Sequence, residues 1–137
     1  MQNYTNHKRY NKPFHFLFIP LLLGGVIYFS YTLLQEFSDI KLGMALAYTA
    51  LIIIAIFSRA FALKAQDRAI RAEESLRYFM LTGKPIPKTL RIRQILALRF
   101  AEDTEFVQLV DRCEFDKLSS DEIKRSIIDW RADNYRI

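Results

Sequence analysis

The groups through which a chain like this would do covalent or metal chemistry are its thiol, its imidazoles and its carboxylates. Here they are scarce or wrongly spaced. There is one Cys, at 113, and there are two His, at 7 and 15. None has metal-ligand spacing, and Cys113 lies among apolar neighbours on an expected helix, which reads as a buried, inert thiol. His15 stands at the edge of an apolar run, as an interfacial polar group. Gly83-Lys84 lacks the rest of a phosphate-cradling loop and follows a helix rather than preceding one. Acids are abundant, but as helix caps and solvated faces. With no nucleophile–base pair and no ligand set, the sequence predicts no enzyme, no cofactor and no metal.

Charge excludes a second class. The isoelectric point is near 9.4, which raises the question of nucleic acid. The excess is unevenly placed: residues 1–13 carry +3, 35–41 carry −1, 58–82 carry +2 and 83–137 carry +1. Basic residues therefore crowd beside the apolar runs while the C-terminal part is nearly balanced. That distribution fits attraction to anionic lipid better than a nucleic-acid groove, and no nucleic-acid partner is expected.

The elements that would position these residues begin with two apolar runs. Residues 14–34 contain no charge, and at 1.5 Å per residue they extend about 31 Å, the thickness of a bilayer's hydrocarbon core. A cleaved signal peptide is disfavoured, because the run is too long and no A-x-A-like site follows Leu34. The second run, Leu42 to Ser58, is also uncharged and about 26 Å long. It reaches Leu63 if Arg59 snorkels to the headgroups. Residues 42–63 are therefore read as a second span. Residues 35–41 form so short a connector that the two helices must be antiparallel. Lys8, Arg9 and Lys12 flank one side; Arg59, Lys64, Arg68 and Arg71 flank the same side after the hairpin, against Lys41 alone in the connector. The positive-inside rule then predicts a cytoplasmic tail at 1–13, an extracytoplasmic connector, and both termini in the cytoplasm.

Within the spans the notable residues are small. Gly24 and Gly25 in the first, and Gly43, Ala47 and Ala50 in the second, are expected to let the helices approach closely. Counted inward from the connector, Gly25 falls near Leu51. Pro20 removes a backbone donor and is expected to bend the first helix near Phe16. No acid or base lies deep in either run, and Thr32, Tyr48 and Thr49 are thin material for a pore.

The second span is expected to continue as a helix over 64–82, since 58–81 lacks Gly and Pro and is rich in helix formers. Asp67–Arg71 and Glu73–Arg77 are favourable i,i+4 pairs. Ala62, Ala65, Ala69, Ala72, Leu76 and Phe79 alternate by three and four, the spacing of a coiled-coil seam. The chain's own C-terminal helices are the first expected cover for that seam, a second copy the next and another membrane protein the third. Gly83 should cap the helix and 83–88, with Pro85 and Pro87, should turn. Helices are then expected over about 90–101, capped by Thr89, about 104–117, with Asp103 as its cap and Glu105 in its first turn, and about 120–134, opened by the capping box Ser119-Ser120-Asp121-Glu122. Trp130 should anchor the last helix. A domain of about fifty residues is small for independent stability, so 89–137 should lean on the 64–82 helix.

Four stretches carry a family resemblance. They are Lys64-Ala65-Gln66-Asp67-Arg68 with Ile70-Arg71 and Glu73-Glu74; Ala97-Leu98-Arg99-Phe100-Ala101 with Asp103 and Glu105; Ile123-Lys124, Ile127 and Trp130-Arg131-Ala132-Asp133; and the opening Gln2-Asn3-Tyr4, Asn6-His7, Arg9, Phe14-His15. In that order they resemble an uncharacterised family of small bacterial two-span membrane proteins, domain of unknown function 6526. The resemblance covers nearly the whole chain and implies two spans in a bacterial inner membrane, with no reaction attached.

The expected fold is therefore all-α: a two-helix transmembrane hairpin whose second helix extends into the cytoplasm and meets a small C-terminal three-helix domain. The expected function is a non-catalytic, membrane-anchored interaction or accessory protein. A self-assembling homo-oligomer, in the simplest case a homodimer, is the alternative, and small-solute transport a distant third. Partners are the lipid bilayer and a membrane or cytoplasmic protein of unspecified identity. Candidate contact residues are Gln66, Asp67, Arg68, Arg71, Glu74, Arg99, Asp103, Trp130, Arg131 and Asp133. Arg68 and Arg71 are expected to reach lipid phosphates or to pair with Asp103 or Asp133.

Overall fold

The computed structural model describes residues 3–4 and 11–133. Expectations resting on His7, Lys8 and Arg9, and the end of the last expected helix at residue 134, lie outside them. Across the described residues the fold is all-α, as expected, with one isolated bridge between Ala101 and Trp130 in place of any strand. A π-helical turn, Phe14–Phe18, leads into α1, Ile19–Gln35; α2 is Asp39–Thr82, α3 Ile92–Leu98, α4 Asp103–Phe115 and α5 Ser120–Ser126. The chain divides into two compact units, one of Tyr10–Leu63 and one of Lys64–Ile137 joined by the N-terminal segment.

In the first unit, Phe14–Gln35 and α2 are long and apolar enough to cross a membrane. Their most apolar stretches are only 6% and 11% buried, so neither is the covered core helix of a globular domain. The bend expected at Pro20 takes the form of the π-turn. Proline cannot donate to the carbonyl four residues back, and Ile19 N–H instead closes a wider ring onto the Phe14 carbonyl. Asn11 caps this start, its side-chain oxygen accepting from Phe14 N–H at 3.2 Å. The guanidinium of Arg59 lies 5.1 Å from the centre of the Phe14 ring, an arrangement that lets a cation end an apolar run.

Between α1 and α2 the structure is tighter than the expected connector 35–41. Only residues 36–38 are outside helix. Asp39 opens α2 in the first turn, where the helix dipole favours an acid, and Lys41 reaches back to the Glu36 carboxylate at 3.2 Å. The small-residue faces meet differently from the expectation. A side chain on Gly25 would overlap the Tyr48 ring, which also stacks on Phe29 at 5.7 Å between centres. Leu22 and Ala45 are buried, whereas Gly24 and Gly43 face open space and Ala47 is exposed. With the Tyr48 ring placed there, position 25 has no room for a Cβ, whereas positions 24 and 43 do. Thr49 donates to the Ala45 carbonyl at 2.8 Å and Thr32 to the Phe29 carbonyl at 3.2 Å, so these hydroxyls serve their own helices.

The second unit has a closed core. Ile95, Leu98, Phe100, Phe106, Val110 and Ile123 are almost fully buried, and burying side chains of this size stabilises by about 1.5–3 kcal/mol each. Beyond Lys64, α2 joins that core through Tyr78, while Ile70 and Glu74 are also buried on the same helix face. The alanine seam is not that face: Ala62, Ala65, Ala69 and Ala72 are all exposed, as are Leu76 and Phe79. The expectation that the chain covers its own seam is thus corrected. Alanine offers little area, and the larger Ile70 and Tyr78, one and two turns apart on the other side, win the contact.

Gly83 caps α2 as expected, with φ +70° and its N–H on the Phe79 carbonyl at 2.8 Å. The later helices are shorter than their patterns. α3 opens after an extended Arg91, whose N–H donates to the Gln94 side chain at 2.8 Å, whereas Thr89 turns to Glu114. Leu90 is buried outside the helix. α4 begins one residue earlier than expected, with Glu102 rather than Asp103 at the cap position. The Ser119–Glu122 box forms in both directions, at 3.3 and 2.7 Å. α5 then stops at Ser126, not at 134. The Glu105 carboxylate accepts the N–H groups of Ile128 and Asp129, both at 3.1 Å, and Arg131 N–H donates to the Phe100 carbonyl at 2.7 Å. Those partners outcompete another helical turn. Trp130 therefore lies in an extended segment, half-buried with its ring 5.2 Å from Phe100.

Candidate functional site

Burial and charge converge on Arg77, whose side chain is only 11% exposed. It leaves α2 one position beside the buried Ile70, Glu74 and Tyr78 stripe. Its guanidinium donates to Asp103 at 2.6 Å, to the Ala101 carbonyl at 2.8 Å and to Glu74 at 3.1 Å. Its plane lies 4.2 Å from the centre of the Phe106 ring. One side chain thus ties α2 to the start of α4 and to the end of the α3 segment. Guanidinium suits this task because its donors form a rigid fork that a lysine ammonium cannot reproduce.

Glu74 is the acid held inside that network. Burial pushes its carboxyl above the usual value, and the hydrogen bond and charge of Arg77, with the charge of Arg131, pull it back. A carboxylate perturbed in this way resembles a catalytic acid. Yet its visible partner is a cation that also satisfies a carbonyl and a second acid, the arrangement of a structural clamp. At the clamp lies a cavity of about 590 Å³, lined from α2 by Glu73, Glu74, Leu76, Arg77, Met80 and Leu81 and otherwise by Glu102, Asp103 and Arg131. Cys113 is buried and its thiol pushed up to about 11 by desolvation. Among the described residues no three His, Cys, Asp or Glu side chains are grouped to hold a metal ion.

The expected contact residues separate into two sets. Glu74, Asp103, Arg99, Asp133, Trp130 and Arg131 are brought together around the clamp. Arg99 pairs with Asp133 at 3.1 Å and lies over Phe100. The acids Asp103 and Asp133 do hold arginines, but these are Arg77 and Arg99, not Arg68 or Arg71. Gln66 and Asp67 are half-buried, while Arg68 and Arg71 are exposed. Arg77 pairs with Glu74 three residues back rather than with Glu73. Arg77 itself was absent from the sequence-based candidates. Its signal was a cation adjacent to a one-face stripe of Ile70, Glu74 and Tyr78, outweighed there by the more regular alanines.

A second junction was equally invisible. Tyr4 donates its hydroxyl proton to Asp121 at 2.8 Å and accepts from Arg125 at 3.2 Å, with the Arg125 guanidinium 5.2 Å from its ring centre. Tyr4 is thereby fastened to α5.

Comparison with known proteins gives one match. The model of the family of unknown function DUF6526 matches residues 1–137, the whole chain. No curated protein and no solved structure matches. The chain belongs to this family, which the four motif stretches already resembled.

Proposed function

With family membership as the premise, we propose that the protein is a non-catalytic, membrane-anchored interaction or accessory subunit of a bacterial inner membrane. Phe14–Gln35 and the first part of α2 span the bilayer as a hairpin, both termini lie in the cytoplasm, and the Lys64–Ile137 unit is presented there. The hydropathy and the outward apolar surface of the spans support insertion. Tyr4 supports the hairpin topology, because its bonds to Asp121 and Arg125 keep it with the C-terminal unit.

The observation that carries the interaction reading is where the second unit leaves apolar surface. Its core is closed, yet Leu76, Phe79 and Met80 are 60%, 53% and 76% exposed along α2 beside the cavity. Contiguous apolar surface outside a complete core marks a contact site. Two measurements test the proposal. A reporter active only in the cytoplasm should work at both termini and fail between residues 36 and 38; activity there overturns the orientation. A photocrosslinker at Phe79, used in intact membranes with mass identification, should capture protein. Capture of nothing but lipid or water sinks the interaction reading.

A further inference from the structure

The exposed face of α2 has a register. With Ala69 and Leu76 at position a, and Ala65, Ala72 and Phe79 at position d, the heptad places Ile70 and Arg77 at b, Tyr78 at c and Glu74 at f. Those four are the residues through which α2 meets its own domain. They lie on the side of the helix opposite the a/d seam, whose residues all stay exposed, with Leu76 at the edge of the cavity beside the domain.

The flanks of the seam carry complementary charge. Arg68 falls at g and Glu73 at e, five residues later. In a parallel two-stranded coil, g of one helix meets e of the next heptad on the other. A two-fold axis would therefore make the pair twice, Arg68 of each copy on Glu73 of the other, the self-complementarity that an isologous dimer requires. Neither residue spends its charge within the chain: among the described residues no ion pair includes Arg68 or Glu73. Glu73 also lines the 590 Å³ cavity, whose charged lining of four acids and two arginines is acidic on balance.

We infer that α2 pairs in parallel with α2 of a second copy through Ala65, Ala69, Ala72, Leu76 and Phe79, locked by reciprocal Arg68–Glu73 ion pairs. The parallel direction rests on the proposed anchorage, since two copies in one bilayer leave it on the same side. Alanines in the first turns bring the two helices close where they emerge, and Leu76 and Phe79 supply the larger apolar area further on. The copies thus cover the surface that the domain leaves open.

The test uses the full-length protein in membranes. Under mild oxidation Ala69→Cys and Ala72→Cys should form disulfide-linked dimers, whereas Arg71→Cys, at the outward c position, should stay at the wild-type level set by the buried Cys113. Adding Arg68→Glu or Glu73→Arg to Ala69→Cys should lower the dimer yield roughly threefold to tenfold, the scale of two exposed ion pairs. Combining both reversals should restore it, which a misfolded variant would not do. Equal yields from Ala69→Cys and Arg71→Cys overturn the inference, and so does a double reversal as weak as either single one. A disulfide to a different protein at Ala69→Cys also overturns it while leaving the interaction reading intact. Recovery of the wild type from the soluble fraction removes the anchorage and, with it, the parallel register.

Discussion

The two units of this molecule use apolar side chains in opposite ways. In Tyr10–Leu63 they point outward: Phe16, Ile27 and Leu34 are 75%, 68% and 86% exposed, and Leu22 and Ala45 are buried. In Lys64–Ile137 the same residue types turn inward, with Ile95, Leu98, Phe106 and Ile123 at zero exposure. One unit is organised as though its solvent were apolar, the other as a water-soluble core. Composition averaged over the chain conceals this, because its mean hydropathy is close to zero. Specificity consequently has different sources. The hairpin relies on the fit of one ring against one glycine; the helical unit relies on a dense core stitched by a buried arginine.

The sharpest test of that contrast is Arg77→Ala. It leaves the buried Glu74 and the Ala101 carbonyl without their donor, and loss of one member of a buried pair costs about 3–5 kcal/mol. Thermal unfolding of the full-length protein should show the C-terminal transition lowered, with the Tyr10–Leu63 unit unaffected. An unchanged transition would mean the clamp is dispensable.

The corresponding test in the hairpin compares neighbours. Gly25→Leu must displace the Tyr48 ring, and overpacking of this kind costs about 1–3 kcal/mol. Gly24→Leu meets open space and should be close to neutral in the same detergent-micelle unfolding assay. Equal effects from the two would remove the interlock.

A smaller effect separates two acids by pH. Glu74 sits above the ordinary carboxylate value of 4.5 because burial disfavours its charge. Its favourable share of stability is complete below 4.5 and is lost as pH rises through the raised value. Glu122 sits below 4.5 because the Ser119 backbone and side chain donate to it. Its share is present above 4.5 and is lost as pH falls through the lowered value. Glu74→Gln should therefore flatten the decline on the rising side, and Glu122→Gln the decline on the acid side. Removing the cap with Ser119→Ala should cost about 1 kcal/mol at neutral pH. Melting curves across pH 3–8 distinguish the two slopes, and identical profiles for the two glutamine variants would contradict both assignments.

Which features could be read from the sequence follows from how far apart their determinants lie. The apolar runs, the Gly83 cap and the Ser119–Glu122 box are written within a few residues, and each is present in the structure. The end of α5 depends on Glu105, Phe100 and Ala101, more than twenty residues away, so periodicity through Ile127 and Trp130 overran it. The alanine spacing was correctly seen as regular, but regularity does not say which side of a helix its own domain chooses. That choice was made by Ile70, Glu74 and Tyr78, whose spacing is just as helical and whose bulk is greater. Arg77 gains its role only when Asp103 and the Ala101 carbonyl arrive from other segments.

The Tyr4 contact has a consequence for the order of synthesis. Tyr4 is made before its partner Arg125, which lies 121 positions later. At roughly 5–20 residues per second, the phenol waits on the order of ten seconds before that guanidinium exists. Tyr4 therefore forms these bonds only after both apolar helices have been made. A nascent chain stalled before α5 would lack Asp121 and Arg125, so protection of the Tyr4 hydroxyl would report that α5 had been made.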